Sequence, residues 1–337
     1  MSRILFLYDC PRHHSGIPAL LQRLVGALVA QGTQLILALP KRPCGIPLYT
    51  AAEESYPAGD GQLDILWWPD EFFDVRYREQ FVFEIERLHA ERPLQRIMAL
   101  DARTGFAAVV AGRLASIPIS VFVTYRDAFS THYTYPQELD VVTQHADHLV
   151  SANPEVPHHL SMFYDVAPKW TLVDTRPTAI ELATSSEPCE PVHPDRPYLV
   201  TTGMLSELIG LGDLLQRVEQ FLSDGADEWI HAGTCDASTL LKIGAQLTAR
   251  GLADRFQILE SLHRDQYVAL LRAAMVHLVP LGERDTNLAV YESQSWGVRL
   301  DLPQRFPFPA LSSPEESDSS SQSDALTPVQ FAGRLLA

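Results

Sequence analysis

The sequence predicts an α/β protein with two domains, each built on a doubly wound parallel β-sheet. Three observations lead to this prediction. Short apolar runs alternate with longer amphipathic runs, the apolar runs lack the polar alternation of a half-exposed strand, and the rhythm restarts once after a proline-rich break. Apolar strands that alternate with helices form parallel sheets, which the helices cover on both faces. The 337 residues suffice for two such domains, each with its own core.

The first predicted domain covers residues 1–183 and opens with RILFLY at 3–8, a buried strand. The run at 17–32 is its first helix, because leucine and valine recur there at helical spacing and Gly32 ends the pattern. Further strands are predicted at 34–39, 63–68, 96–100, 119–125, 148–152 and 170–174. Helices that separate most of them are predicted at 77–91, 103–115, 136–146 and 154–164.

A break at 184–197 holds four prolines in fourteen residues and no periodicity, which indicates a linker between domains. The second predicted domain, 198–305, then repeats the alternation of the first. Its strands are predicted at 198–202, 228–233, 255–259 and 276–281. Its helices are predicted near 211–223, 237–250 and 265–274 and within the stretch 284–297. Ligands of such sheets bind beyond the carboxyl ends of the strands, so two domains face to face predict a cleft lined by loops.

The carboxyl-terminal segment changes in character. Residues 306–326 are acidic and rich in serine, a composition typical of mobile segments. A last helix is predicted at 327–337, with Thr327 as its N-cap and Pro328 in its first turn.

The composition excludes several classes of function. The net charge of −16, from 26 basic and 42 acidic residues, disfavours binding to nucleic acid or to anionic lipid. The four cysteines lie far apart without a C-x-x-C pair, which argues against a zinc cage or a disulfide framework and favours a reducing compartment. Because the first apolar run is too short for a signal peptide and no run of 18 apolar residues occurs, we expect a cytoplasmic protein without a membrane span.

The stretch RDTNLAVYESQSWG at 284–297 carries the clearest candidate site. Polar residues that suit a turn precede a helical run, and Asp285, Thr286 or Asn287 can cap that helix. The free backbone N–H groups of a helix start bind phosphate well. Glu292, about one and a half turns into the helix, can accept two hydrogen bonds from the vicinal hydroxyls of a ribose. The alternative is that Glu292 is a solvated helix residue without a ligand.

Several segments resemble glycosyltransferases of the GT-B fold, specifically the retaining family 4 enzymes that use nucleotide-sugar donors. The resemblance covers roughly residues 3–300 and is most specific in GLADRFQIL, 251–259, followed by LRAAMVHLVPL, 271–281. It extends to SGIP at 15–18, to ADHLVSANPEVPHHL at 146–160 and to AVYESQSWGVRL at 289–300. It implies two Rossmann-like domains facing a cleft, with the nucleotide sugar as substrate, no separate cofactor and no metal ion.

The resemblance also implies which residues contact the donor. Glu292 falls on the second glutamate of the family's Glu-x7-Glu pair and would hold the ribose. Asn287 and Leu288 would offer backbone N–H groups to the phosphates or the sugar, and residues 261–263 would lie near the base. The whole donor-binding set is Gly16, Gly203, Ser261, Leu262, His263, Asn287, Leu288 and Glu292.

This chain departs from the family pattern at three places. The first glutamate of the pair falls on Arg284, and the nearest acid is Glu283. In GMLSELIGLGD, 203–213, Met204 and Ile209 replace the arginine and lysine that neutralise the leaving diphosphate in the family. In VTYRD, 123–127, Arg126 replaces a histidine. Glu283 and Arg126 are therefore the candidates for catalytic roles. The histidines expected on the surface or in loops are His13, His14, His132, His231 and His263.

Two functions of different classes follow. The first is a glycosyltransferase that moves a sugar, with retention, onto a hydroxyl of a saccharide, a lipid-linked molecule or a small molecule. The second is a catalytically degenerate GT-B protein that acts as a binding subunit or as the partner of another glycosyltransferase. A sugar-nucleotide epimerase has no distinguishing feature in the sequence, and a dehydrogenase is disfavoured because neither domain has G-x-G-x-x-G after its first strand.

Overall fold

The protein's structure, a computed structural model, describes most of the helices and strands that the sequence predicts. The linker predicted at 184–197 and the acidic segment predicted at 306–326 lie almost entirely outside the described residues. The described residues are 2–8, 17–40, 63–68, 75–124, 127–128, 136–166, 169–173, 196–205, 210–235, 237–259, 262, 264–280, 288–302 and 326–336.

The chain forms two compact units, and the first contains a sheet of seven parallel strands. Its strands are β1 (Arg3–Leu7), β2 (Gln34–Pro40), β3 (Leu63–Trp68), β4 (Arg96–Ala99), β5 (Ile119–Phe122), β6 (His148–Ser151) and β7 (Trp170–Leu172). Its first helices are α1 (Ile17–Ala30), α2 (Val75–Glu91), α3 (Ala102–Ala115), α4 (Pro136–His145) and α5 (Glu155–Ser161). The strand order is β3-β2-β1-β4-β5-β6-β7, so the order reverses between β1 and β4.

The alternating side chains of β1 explain why helices cover both faces of this sheet. Ile4 and Phe6 are fully buried in a cluster with α1, whereas Leu5 and Leu7 are fully buried in a second cluster with α2 and α3. A strand with no polar face is stable only between two layers of helices. The apolar run of the sequence is therefore the direct cause of the three-layer unit.

The second unit repeats this architecture with five parallel strands. Its strands are β8 (Tyr198–Leu205), β9 (Glu228–Cys235), β10 (Phe256–Leu259), β11 (Val276–Leu278) and β12 (Leu300–Asp301). Its helices are α6 (Leu211–Ser223), α7 (Ala237–Ala249), α8 (Arg264–Ala273) and α9 (Leu288–Ser295), with a short 3-10 turn at Ala253–Arg255. The strand order is β10-β9-β8-β11-β12, with its reversal between β8 and β11. The predicted pair of doubly wound parallel sheets is confirmed.

The last helix, α10 (Pro328–Leu336), packs on the first unit. The predicted cap is present: the Gln330 backbone N–H donates to Thr327 Oγ1 at 3.2 Å, and the Thr327 N–H donates to Gln330 Oε1 at 2.9 Å. This reciprocal pair is a capping box, which satisfies two N–H groups at the helix start. Phe331 and Leu335 are buried in the cluster that contains α1, so the carboxyl-terminal helix completes the core of the amino-terminal unit. Among the described residues, no helix has the length and apolar character needed to cross a membrane.

Strand β12 was not predicted, and a single arginine holds this short edge strand in place. Arg217 on α6 donates from Nε to Asp301 Oδ2 at 2.7 Å, from Nη2 to the Asp301 carbonyl at 2.6 Å and from Nη1 to the Val279 carbonyl at 3.1 Å. Two residues of strand pairing provide little stability by themselves. The guanidinium therefore supplies much of what fixes β12 beside β11.

We expect Arg217→Met to lower the free energy of unfolding by about 2–3 kcal/mol, because it leaves the Val279 and Asp301 carbonyls without their charged donor. Urea unfolding measures this loss. The matched control is Arg250→Met, which breaks the exposed pair Arg250–Glu219 at 3.2 Å in the same unit and should cost less than about 1 kcal/mol. Equal losses in the two variants would contradict the role of Arg217.

Candidate functional site

The candidate site lies at the carboxyl edge of the second sheet, where its strand order reverses. Ligands of doubly wound sheets bind at this point because the loops that follow the two central strands run to opposite faces. Here the two strands are β8 and β11, which are hydrogen-bonded neighbours. Helix α9 follows β11 in the chain and carries Glu292, the residue that the sequence singles out.

Two glycines bring the backbones of β8 and β9 close together at this edge. Gly203 and Gly233 are partners in the parallel register. Gly203 has φ of +88°, a conformation that favours glycine. A Cβ atom on Gly233 would lie 1.9 Å from the Gly203 carbonyl oxygen, which no side chain can tolerate. The strand ends therefore require glycine at both positions, and a donor contact at Gly203 remains a prediction.

Glu292 is buried, with 2% of its surface exposed. Its neighbours on α9, Val290 and Ser293, are buried as well, whereas Gln294 and Ser295 face solvent. The alternative that Glu292 is a solvated helix residue is therefore wrong. A carboxylate is expensive to remove from water unless hydrogen bonds or opposite charges compensate it, so the burial of Glu292 sets it apart from the exposed polar residues of α9.

A buried chain of hydrogen bonds, which we call the histidine bridge, ties α9 to the central strands. It consists of Thr202 on β8, His277 on β11 and Ser293 on α9. His277 Nε2 lies 3.2 Å from Thr202 Oγ1, and its Nδ1 lies 2.9 Å from Ser293 Oγ. All three side chains are fully buried. Burial lowers the pKa of His277 to about 3, so the imidazole is neutral at physiological pH.

A second buried chain of hydrogen bonds lies on the other face of β8. The Trp229 indole N–H donates to Thr201 Oγ1 at 2.9 Å, and Thr201 Oγ1 lies 2.9 Å from His231 Nδ1. His231 is fully buried in β9, so its expected place on the surface or in a loop is wrong. The reason is that His231 occupies an inward position of a central strand, where a neighbouring threonine satisfies its ring nitrogen.

The structure describes only some of the other predicted donor residues. Leu262 is half-buried and packs against the apolar cluster of α8 and α9. Leu288 is the first residue of α9, and position 204 lies within β8. The predicted residues that lie outside the described part of the chain are Gly16, Arg126, Ser261, His263, Glu283 and Asn287.

The carboxyl edge of the first sheet carries two buried acids that the sequence reasoning missed. Asp101 caps α3: its Oδ1 accepts from the Thr104 N–H at 2.7 Å and from Thr104 Oγ1 at 2.9 Å. Asp127 Oδ2 accepts from the Thr124 N–H and from Thr124 Oγ1, both at 2.8 Å. Each of the two residues is 3% exposed. The signal was present as D-x-x-T at 101–104, directly after a predicted strand, and as T-x-x-D at 124–127, at the end of another predicted strand.

The two acids interact electrostatically. Burial, and secondly the nearby charge of Asp127, raise the pKa of Asp101 to about 6, although the Thr104 hydrogen bonds oppose this rise. An acid with such a pKa exchanges protons near neutral pH. Within the described ranges, no group of three or more His, Cys, Asp or Glu side chains is placed to hold a metal ion.

No protein-family model and no curated protein matches the sequence, but solved structures match the fold. Sucrose-phosphate synthase from Thermosynechococcus elongatus matches with a TM-score of 0.65 and 15% identity over 89% of this chain and 80% of that chain. UDP-N-acetylglucosamine 2-epimerase from Rickettsia bellii matches with a TM-score of 0.60 and 10% identity over 90% and 80%. The lipopolysaccharide outer core galactosyltransferase WaaB matches with a TM-score of 0.51 and 11% identity over 99% and 89%.

These likenesses establish the class of fold. The chain is an α/β protein with two Rossmann-like domains. Its architecture is the GT-B fold, which glycosyltransferases such as WaaB and sugar-nucleotide epimerases share, so the fold expected from the sequence resemblance is confirmed.

Asp101 should make the stability of the chain depend on pH. Because its pKa in the folded chain, about 6, exceeds the ordinary value of 3.8, the folded state binds more protons between these values, and stability falls as pH rises through them. Asp101→Asn keeps an oxygen acceptor for the Thr104 N–H but cannot ionise. We expect this variant to match the wild type near pH 4 and to exceed it by roughly 1–3 kcal/mol at pH 7.

Urea unfolding of Asp101→Asn and the wild type between pH 4 and pH 7 measures this difference. A constant difference across that range would show that Asp101 does not titrate abnormally.

Proposed function

We propose that the second unit binds a nucleotide-diphosphate sugar at the carboxyl edge of its sheet and that the protein transfers the sugar to an acceptor. The observation that carries this proposal is the buried Glu292 carboxylate on a helix tied to the strands where the sheet order reverses. The names of two proteins of similar fold support it, since one is a galactosyltransferase and the other acts on UDP-N-acetylglucosamine.

Glu292 would bind the ribose of the donor. A carboxylate has two oxygens that accept hydrogen bonds, and the vicinal hydroxyls of a ribose present two donors at matching distance. The buried position of Glu292 excludes competing water, which strengthens these bonds.

The start of α9 would bind the diphosphate. In a parallel sheet the helix that follows a strand begins at the carboxyl edge, and its first N–H groups have no partner within the helix. The first residue of α9 is Leu288, so this helix end lies within about one turn of Glu292. The arrangement accommodates a ribose and its attached phosphates along a single helix.

Sugar transfer would proceed with retention, to a hydroxyl of a saccharide, a lipid-linked molecule or a small molecule. The nucleotide sugar is the activated substrate, so the reaction involves no separate cofactor. In the mechanism that the family resemblance implies, the leaving phosphate guides the incoming hydroxyl on the same face of the sugar, and the protein supplies position and charge. Glu283 would contact the transferred sugar, and Arg126 would supply positive charge near it.

A second candidate function is a binding subunit or partner subunit without catalysis. The sequence favours it at Met204 and Ile209, where the family has cations that neutralise the leaving diphosphate. One lost transition-state donor costs about 3–4 kcal/mol in other enzymes. The loss of two cations would therefore slow transfer far more than it weakens nucleotide binding.

Isothermal titration with UDP, GDP and ADP tests the binding site. We expect at least one nucleotide to bind in the micromolar to millimolar range and Glu292→Ala to weaken its binding about tenfold or more, because two hydrogen bonds to a charged group are lost. The matched control is Gln294→Ala on the exposed side of the same helix, which should leave the affinity unchanged. Absence of binding to all three nucleotides, or full affinity in Glu292→Ala, would refute the site.

Turnover distinguishes the two candidate functions. NMR of the sugar after incubation with a panel of nucleotide sugars reports hydrolysis, transfer or epimerisation of the donor. We expect slow hydrolysis of the nucleotide sugar whose nucleotide binds best. A chain that binds a nucleotide, remains folded and turns over no donor would instead support the binding subunit.

A further inference from the structure

The histidine bridge ends at two residues that are adjacent in sequence to proposed donor-binding residues. Thr202 directly precedes Gly203 on β8, and Ser293 directly follows Glu292 on α9. His277 reaches both, with 3.2 Å from Nε2 to Thr202 Oγ1 and 2.9 Å from Nδ1 to Ser293 Oγ. The bridge therefore spans from the central strand to the helix that carries the proposed ribose ligand.

The histidine bridge is a polar group of side chains in apolar surroundings. The same face of the sheet and the helix around it are apolar, with Val200, Ala289 and Val298 buried in one cluster. Apolar side chains in place of Thr202, His277 and Ser293 would fill this space without three polar groups to satisfy. Polar side chains at these positions fix the relative orientation of the groups that they join, because hydrogen bonds are directional whereas apolar packing is not.

This directionality matters for the rotation of α9 about its own axis. Ser293 and Glu292 are adjacent residues, so a bond that fixes the rotation of α9 at Ser293 also fixes the direction in which the Glu292 side chain leaves the helix. A carboxylate about 5 Å from the axis moves by roughly 2 Å when the helix rotates by about 20°. A displacement of that size breaks a hydrogen bond to a ligand.

We propose that His277 is the positioning residue of the donor site: its ring, held by Thr202 of β8, holds Ser293 and so sets the direction of the Glu292 carboxylate. This inference rests on the proposed function, since it assumes that Glu292 binds the ribose. The ring is suited to the task because a neutral imidazole donates from one nitrogen and accepts at the other, so both ends of the bridge are bonded.

A double-mutant cycle on UDP binding tests the proposal. The four proteins are the wild type, His277→Phe, Ser293→Ala and the variant with both changes, and calorimetry gives Kd for UDP and Tm for each. Because the two side chains act as one link, we expect each single change to raise Kd about tenfold. The double change should raise Kd by about tenfold relative to the wild type, and not by the roughly hundredfold that independent effects would give. His277→Asn, which places a polar atom near the Nδ1 position, should recover part of the affinity.

The matched control is Tyr198→Phe at the opposite, amino-terminal end of β8. It removes another buried hydrogen bond, from the Tyr198 hydroxyl to the Leu270 carbonyl at 2.7 Å. We expect this variant to lower Tm and to leave Kd within about twofold. If His277→Phe does not fold, Kd and Tm of Ser293→Ala can be compared with those of Tyr198→Phe instead. The change from serine to alanine is small, so we expect this variant to fold.

The outcomes separate this inference from the function on which it rests. One outcome is that UDP binds and Glu292→Ala weakens its binding, whereas His277→Phe and Ser293→Ala lower Tm and leave Kd unchanged. This outcome overturns the positioning role and leaves the donor site standing. Additive effects on Kd would also overturn it, because the two residues would then act independently. A wild-type chain that binds none of UDP, GDP and ADP, or whose nucleotide affinity does not depend on Glu292, would overturn the proposed donor site and this inference together.

Discussion

A single buried imidazole connects the two parts of the second unit on which the proposed site depends. His277 joins β8, at the centre of the sheet, to α9, the helix that carries Glu292. The ring is neutral because burial lowers its pKa to about 3, so this connection persists across physiological pH. The bond from His277 to Ser293 gives α9 a directional contact in addition to its apolar packing. The proposed binding of a ribose by Glu292 depends on the direction in which α9 presents this side chain.

The fold was predictable because buried parallel strands appear in the sequence as uninterrupted apolar runs. The strand RILFLY and the capped helix after Thr327 were both identified from local pattern alone. Local sequence pattern did not predict structure that depends on a side-chain hydrogen bond or on the pairing of distant strands. The strand predicted at 119–125 ends at Phe122, because Thr124 turns to bond Asp127. Strand β12 has only two residues, and a distant arginine on α6 stabilises it, so no apolar run in the sequence predicts this strand.

The candidate site was predictable only in part. Spacing and resemblance singled out Glu292, but its burial depends on which strands and helices pack around α9, and a sequence does not show this. The same limit explains His231, which looks like a surface residue in the sequence and is buried beside Thr201. It also explains Asp101 and Asp127: each is an ordinary polar residue after a strand, and their interaction appears only when β4 and β5 are neighbours in the sheet.

The departures from the pattern of the family that the sequence resembles concern charge. Glu292 is buried and its helix is tied to the sheet, yet Met204 and Ile209 replace the expected cations. A crystal structure of the chain with bound UDP would test the central claim most directly. The account predicts both ribose hydroxyls within hydrogen-bonding distance of the Glu292 carboxylate and the phosphates at the start of α9. A nucleotide bound elsewhere, or a ribose that does not contact Glu292, would contradict it.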